Sequence, residues 1–228
     1  MAERPLLYYI TDRKSFPGDE SSQRKRLLGK ISEAALAGVD YVQLREKDLC
    51  TLDLELLAVE ATAALSKLKA ENPLLPTALL INSRTDVAVA TGADGVHLRS
   101  DDIPPNEVKD IWKDCGAHAP ARVSPQGPLI GVSCHSPEEV REAEANGATF
   151  AVFAPVFEKK DAPRMAPKGL SLLRKACRSK IPVLALGGVS LANAASCLEA
   201  GATGIAAIRL FQDNDIVEIA GRLRQMGR

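Results

Sequence analysis

The segment YVQLREK alternates Gln43, Arg45 and Lys47 with Leu44 and Glu46. In an extended strand this period-two spacing puts the first three on one face. Two cations and an amide converging on one surface are costly to bury unpaired, so an anion should meet them. The purely structural alternative is an internal ion-pair network with Glu46 or Asp12 as partner. Gly187 and Gly188 close another apolar run. A glycine pair there lets backbone N–H groups approach a ligand closely, and a following helix adds its positive N-terminal end, which suits a phosphate. A plain tight turn is the alternative. His135 stands just past Ser133 at a strand terminus, before a helix start. Imidazole is the side chain best suited to moving protons near neutral pH. Cys134 beside it invites a thiol nucleophile, but adjacent strand residues point to opposite faces, so a Cys–His pair is not expected. His97 lies inside an apolar strand and reads as a hydrogen-bonded interior residue, while His118 sits in a Pro-rich loop and is given no role. Asp101 and Asp102 offer carboxylates of the kind Mg2+ takes together with phosphate oxygens. A solvated turn before Pro104 and Pro105 is the plainer reading. Asn82, ending a further strand, can hydrogen-bond a polar ring or an amide.

The elements that must position these groups are marked by an internal echo. Ala37-Gly38-Val39-Asp40, Thr91-Gly92-Ala93-Asp94, Asn146-Gly147-Ala148-Thr149 and Ala200-Gly201-Ala202-Thr203 precede the runs YVQL, GVHL, FAVF and GIAAI. Their glycines lie 54, 55 and 54 residues apart. A glycine just past a helix takes the left-handed conformation that closes it. Each echo therefore reads as helix end, turn and strand start, and the period fits two βα units. Intervening strands fall at Leu6–Asp12, Thr77–Asn82, Leu129–Ser133 and Pro182–Gly188, near-continuous apolar runs of the kind buried on both faces of a parallel sheet. Helices are expected at Leu52–Leu68, with Leu52, Leu56, Val59 and Ala63 as the apolar face, from Ser136-Pro137, at Ser190–Ala200 and at Asn214–Arg224. Cys115–Pro128 reads as a loop. Eight strand–helix units in 228 residues predict one closed (β/α)8 TIM barrel over residues 1–228, with chemistry at the C-terminal ends of the strands. An open doubly wound sheet is the alternative, weakened by the absence of a G-x-G-x-x-G turn after the first strand.

Composition narrows the partners. Hydrophobic residues make up 46% and charged residues 25%, and 29 basic residues balance 29 acidic ones. A zero net charge argues against a general nucleic-acid binder or an anionic-membrane binder. No apolar run approaches the roughly 20 residues of a membrane helix, and MAERPLLYYITDRK does not read as a signal peptide. Five scattered cysteines without a C-x-x-C pair point to a reducing cytoplasm rather than to disulfides or structural zinc. A homo-oligomer stays open.

Eight segments in order, YITD, YVQLREKD, LLINSRTDVA, ADGVHL, IGVSCHSPEEV, FAVFAPVF, PVLALGGV and AGATGIAAI, resemble the thiamine phosphate synthase/thiazole tautomerase superfamily over nearly the whole chain. The resemblance implies a (β/α)8 barrel that binds a small-molecule phosphate. In the synthase branch, an aminopyrimidine diphosphate and a thiazole phosphate are joined with loss of pyrophosphate, assisted by Mg2+. It also implies Gln43, Arg45 and Lys47 at the diphosphate, with Ser133 beside it, Asn82 facing the pyrimidine, and Gly187 and Gly188 at the thiazole phosphate. One metal aspartate maps onto Asp102; the other falls where this chain has Ser83. Further departures are Arg99-Ser100 for Gly-Gln, a strand-six loop with Glu158, Lys159 and Lys160 but no threonines, and Arg209 for a phosphate-binding serine. An arginine fork also matches a phosphate. The tautomerase branch lacks the metal aspartate, needs no metal, and is credited with a histidine proton shuttle that maps onto His135. Ser83 and the altered loop lean the expectation toward a tautomerase-like isomerase without cofactor. The Mg2+-dependent synthase is the alternative, and non-catalytic binding of a thiazole or thiamine phosphate is a third.

Overall fold

The computed structural model describes residues 4–116, 127–158 and 166–226. Eight strands run in parallel and close on themselves in sequence order: β1 (Leu6–Ile10), β2 (Tyr41–Leu44), β3 (Ala78–Asn82), β4 (Gly95–Leu98), β5 (Leu129–Cys134), β6 (Phe150–Phe153), β7 (Val183–Ala185) and β8 (Gly204–Ala207). Pairing of Leu6 with Gly204 and of Tyr9 with Ala207 seals the ring. Helices α1 (Glu20–Leu36), α2 (Thr51–Glu71), α3 (Thr85–Thr91), α4 (Pro105–Gly116), α5 (Pro137–Ala145), α6 (Gly169–Ala176), α7 (Ala194–Glu199), α8 (Arg209–Gln212) and α9 (Ile216–Gln225) lie between and after them. This is the (β/α)8 barrel the period predicts. No helix among the described residues is long and apolar enough to cross a membrane.

The echo has a mechanical basis. Gly38, Gly92, Gly147 and Gly201 all have positive φ. At each, the residue after the glycine donates its N–H five residues back into the helix, as Val39 does to the Ala34 carbonyl (3.0 Å) and Ala202 to that of Cys197 (3.1 Å). These are Schellman closures. The next side chain then ties the turn to the preceding odd strand: Asp40 accepts from the Leu7 N–H, Asp94 from Leu79 and Thr149 from Ile130, each at 2.8 Å. The repeated sequence thus ends a helix and pins a strand in one device.

Two apolar clusters hold the barrel. Tyr8, Leu80, Phe150, Val152, Leu184 and Ala206 fill its interior. Phe150 stacks on Tyr41, with centroids 5.0 Å apart, and meets Tyr8 edge-on. The larger cluster packs the outward strand residues, among them Val42, Leu44 and Ile81, against the helices.

Several boundaries differ from expectation. In α2 the buried face is Leu54, Leu57, Ala58, Ala61 and Leu65, while Leu52, Leu56 and Val59 are 64%, 50% and 49% exposed and Ala63 is exposed too. The helix is apolar on two sides, so periodicity alone does not select the inner one. Helix α7 begins at Ala194 rather than Ser190, because Asn193 accepts the Ser190 N–H at 2.8 Å and holds a turn there. The seventh strand ends at Ala185, so the glycine pair lies beyond it. Cys115 and Gly116 still belong to α4; residues 117–126, including His118, lie outside the described part.

Candidate active site

A cavity of about 1000 Å3 opens at the C-terminal ends of the strands. It brings together Gln43, Arg45, Lys47, Asn82, Ser133, His135, Gly187, Gly188 and Arg209 from the expected set, and adds Asp12, His97, Arg99, Asp101 and Glu158. Ile10, Leu186 and Ala206 give it apolar surface. Ser83 and Asp102 do not line it, and Lys159 and Lys160 lie outside the described residues.

Gln43 of β2 and Arg45 and Lys47, just past its C-terminal end, all line the cavity, as the alternation predicts. Gln43 is buried and donates from Nε2 to Asn82 Oδ1 at 3.0 Å. Glu46 faces the other way. Its carboxylate takes the Thr11 hydroxyl at 2.5 Å, the Arg13 N–H at 3.0 Å and the Arg13 guanidinium at 3.3 Å. The structural alternative, an ion-pair network of Arg45 and Lys47 with Glu46 or Asp12, is therefore not what forms. The Arg45 backbone N–H donates to Thr11 Oγ1 at 2.9 Å, but its guanidinium has no hydrogen bond or ion pair among the described residues, and Glu46 belongs to Arg13, which also grips Asp48 at 2.7 and 2.8 Å and Glu20 at 2.6 and 3.1 Å. Sequence reasoning misses Arg13, because Glu46 and Asp48 stand 33 and 35 positions away and no local pattern links them.

The cations are uncomfortable as they stand. Burial pulls the Arg45 guanidinium below its usual range, against the opposite pull of Asp12 and Glu46. Lys47 is lowered chiefly by the Arg45 charge, then by burial and by Arg99. A site that destabilises its own positive charges is one that a bound anion relieves.

Strands β4 and β5 contribute histidines of opposite character. His97 is buried, with Nε2 2.9 Å from Ser133 Oγ and Nδ1 lacking any hydrogen-bond partner. Burial, helped by Arg45, pushes its pKa down to about 3, so it is neutral at pH 7. The interior reading of His97 holds, with the addition that it borders the cavity. His135 is half-buried at the rim, and its Nδ1 lies 2.7 Å from the Ala154 carbonyl oxygen. Ser136, not His135, caps α5, accepting the Glu139 N–H at 3.1 Å. Cys134 is fully buried and its thiol is pushed up to about 12, chiefly by burial, so it is no nucleophile.

Across the mouth, Gly187 and Gly188 have φ of 96° and 65°. Phe157 donates its N–H to the Gly187 carbonyl at 2.9 Å, stitching this turn to the segment after β6. The helix expected to back the pair starts six residues later, so the turn itself, not a helix end, borders the cavity here. Arg209 opens α8 and is exposed at the rim.

The turn after β4 is organised by Arg99. Its guanidinium lies 2.9 Å from Asp101 Oδ2 and 3.5 Å from Asp102 Oδ1, and its backbone N–H donates to Asp102 Oδ2 at 2.7 Å. Ser83 sits at φ 57°, accepts from Asn82 Nδ2 at 3.2 Å and donates its N–H to the His97 carbonyl at 2.8 Å. No cluster of three or more His, Cys, Asp or Glu side chains suited to a metal occurs among the described residues.

Comparison with known proteins gives a consistent picture. The profile of a family described as thiamine monophosphate synthase matches residues 7–211. A putative thiamine-phosphate synthase 2 of Aquifex aeolicus is 39% identical over 210 residues, covering 92% of this chain and 98% of that one. A thiamine-phosphate synthase of Clostridium acetobutylicum is 36% identical over 206 residues, covering 89% and 84%. Among solved structures, a thiamine phosphate pyrophosphorylase from Pyrococcus furiosus superposes with a TM-score of 0.73 at 31% identity, over 97% of this chain and 95% of that one.

Proposed function

The chain belongs to the thiamine monophosphate synthase family of thiamine-biosynthesis enzymes, and from that premise we propose that it joins an aminopyrimidine diphosphate to a thiazole phosphate with release of pyrophosphate. The observation that supports this reading is one cavity with two walls whose residue types suit anions. One is the Gln43, Arg45 and Lys47 row of β2; the other is the Gly187-Gly188 turn after β7 with Arg209 after β8. A volume of about 1000 Å3 is at the upper end of small-molecule sites, about 300–1,000 Å3, and leaves room for two substrates side by side.

In this reading the diphosphate lies against Arg45 and Lys47, and the thiazole phosphate against the glycine turn and Arg209. Asn82, oriented by Gln43, meets the pyrimidine ring. Ser133, oriented by neutral His97, stands beside the diphosphate. The thiazole nitrogen supplies the electron pair for the new C–N bond, and pyrophosphate leaves with the pair of the broken C–O bond. The two cations of β2 meet the charge that builds on the leaving group, which is where preorganised electrostatics accelerates a displacement. Holding both reactants in one cavity removes the entropic cost of bringing them together.

The family uses Mg2+, and the residues here do not fit that ion as they stand. Arg99 occupies both carboxylates of the β4 turn, and the position of the partner ligand is Ser83, a neutral hydroxyl already engaged by Asn82. No step above is routed through a metal.

The same Ser83 and Arg99 favour a second reading, a thiazole tautomerase-like isomerase in which His135 moves a proton between a ring carbon and the exocyclic carbon of a thiazole carboxylate phosphate. The deciding experiment incubates the purified protein with both synthase substrates and follows pyrophosphate release, beside a tautomerase assay on the thiazole carboxylate phosphate. Coupling at about 1 s⁻¹ or more supports the synthase. Tautomerisation without coupling replaces it by the isomerase, and ligand binding without either turnover replaces both by a binding protein.

A further inference from the structure

We propose that Arg99 takes the place of a divalent metal in this site: held by Asp101 and Asp102, its guanidinium joins Arg45 and Lys47 in a clamp that binds a diphosphate without Mg2+. The proposal rests on the synthase reading for its natural ligand, but not for its geometry. Arg99, Arg45 and Lys47 all line one cavity, on the rim segments after β4 and β2 that flank β3. Two carboxylates side by side after a barrel strand are a fitting pair of hard ligands for Mg2+. Here one guanidinium spans them, and the turn is closed on the same residue by two backbone contacts, Arg99 N–H to Asp102 Oδ2 at 2.7 Å and Asp102 N–H to the Arg99 carbonyl at 3.3 Å. A metal would meet a turn in which Asp101 Oδ2 and both Asp102 oxygens are already engaged by Arg99.

The arrangement also leaves the arginine with capacity to spare. Its Nη2 serves Asp101 and its Nε faces Asp102, while Nη1 has no partner among the described residues. Guanidinium offers five N–H donors in a planar fork that matches phosphate oxygens. The carboxylates therefore act as a brace that fixes the side chain, and Nη1 is the end offered to a ligand. Arg45, Lys47 and Arg99 line the same cavity, and the proposal assigns all three to one polyanion. A guanidinium carries one charge where Mg2+ carries two, so the clamp trades binding strength for independence from metal.

Equilibrium binding of inorganic pyrophosphate, by calorimetry, tests this apart from turnover. In EDTA the wild-type protein is expected to bind pyrophosphate, with excess Mg2+ changing Kd by less than about 3-fold. Arg99→Gly should weaken binding in EDTA by at least about 10-fold. By releasing Asp101 and Asp102, it should also make the remaining affinity rise on adding Mg2+. Arg99→Lys should recover part of the metal-free affinity. Binding that appears only with Mg2+ in the wild type, no binding in either condition, or an Arg99→Gly protein that matches the wild type in EDTA each overturns the proposal. Pyrophosphate binding in EDTA without any coupling activity would leave the clamp standing and remove the synthase reading. Coupling that requires Mg2+ would do the reverse.

Discussion

His135 Nδ1 lies 2.7 Å from the carbonyl oxygen of Ala154. A carbonyl only accepts, so Nδ1 carries the hydrogen, and the neutral ring has its lone pair on Nε2. The fold thereby fixes one tautomer and leaves Nε2 as the nitrogen available to a substrate in the cavity that the ring borders. Since Ser136 caps α5, the imidazole is not needed for that task.

His135→Asn separates the two enzymatic readings. An asparagine amide can still donate to the Ala154 carbonyl, so the melting temperature should stay within a few degrees of wild type. Carbon-to-carbon proton transfer needs the base, and its loss costs about 10²–10⁴ in rate. Displacement of pyrophosphate by a thiazole nitrogen moves no proton between carbons. There the substitution should cost about 10-fold or less, the worth of one ordinary hydrogen bond. Tautomerase turnover equal to wild type in His135→Asn would take the shuttle away from this residue.

His97 makes stability depend on pH in a window of its own. Its folded pKa is about 3 against 6.5 for an ordinary histidine. The unfolded chain therefore binds the proton more readily, and stability is lost as pH falls from about 6.5 toward 3. Between pH 7 and pH 5 this amounts to about 2 kcal/mol. Asp48, held low by Arg13, runs by the carboxylate rule: its contribution is present above its unfolded value of 3.8 and does not change in that window. Urea unfolding at the two pH values should show the loss in wild type and a flatter dependence in His97→Gln, whose amide can still reach Ser133. An equal slope in both proteins would place the pH dependence elsewhere.

The Arg13–Glu46 pair is a structural brace behind the ligand row. Its side chains are 2% and 1% exposed. Burial raises the Glu46 carboxyl, and the Thr11 and Arg13 hydrogen bonds oppose that rise. Arg13→Leu strands the carboxylate, a change that costs about 3–5 kcal/mol when one partner of a buried pair is removed. Adding Glu46→Gln should return part of the loss. Urea midpoints of the single and double variants measure both effects; a double variant no better than Arg13→Leu would mean that Glu46 does not carry the penalty.

What the sequence discloses and what it hides divide along the range of the interactions. The four Gly echoes are legible because each is a left-handed helix end, and in three of them the Asp or Thr that pins the next turn lies two residues on. The orientation of Gln43, Arg45 and Lys47 is legible because strand alternation is local. Arg13 with Glu46 is not, since the pair exists only once β1 and β2 stand side by side. Nor is the inner face of α2, where Leu52, Leu56 and Val59 compete with Leu54, Leu57 and Ala61 and only the barrel wall decides. The grip of Arg99 on Asp102 is a matter of side-chain conformation, so the same letters read equally well as a metal turn.

The glycine turn and Arg209 should fail in different ways when altered. A Cβ on Gly188 would stand 2.5 Å from the Glu158 carbonyl oxygen and 2.8 Å from Phe157 Cβ, at a φ of 65°. Those atoms belong to a segment stitched to the turn by the Val156 N–H to Leu186 and Phe157 N–H to Gly187 hydrogen bonds, both 2.9 Å, so they do not yield cheaply. The left-handed conformation alone costs a non-glycine residue about 1–2 kcal/mol. Gly188→Ala should therefore lower the urea midpoint and, by pushing the two rim segments apart, weaken thiazole phosphate binding as well. Arg209 is exposed on the first turn of α8, so Arg209→Ala should leave the midpoint close to wild type. If its fork meets the phosphate, the loss of charged hydrogen bonds costs about 1–3 kcal/mol, or roughly 5- to 150-fold in Kd. Titration of both variants with thiazole phosphate, beside their unfolding curves, reads the contrast. An Arg209→Ala protein with wild-type affinity would leave the phosphate to the glycine turn alone.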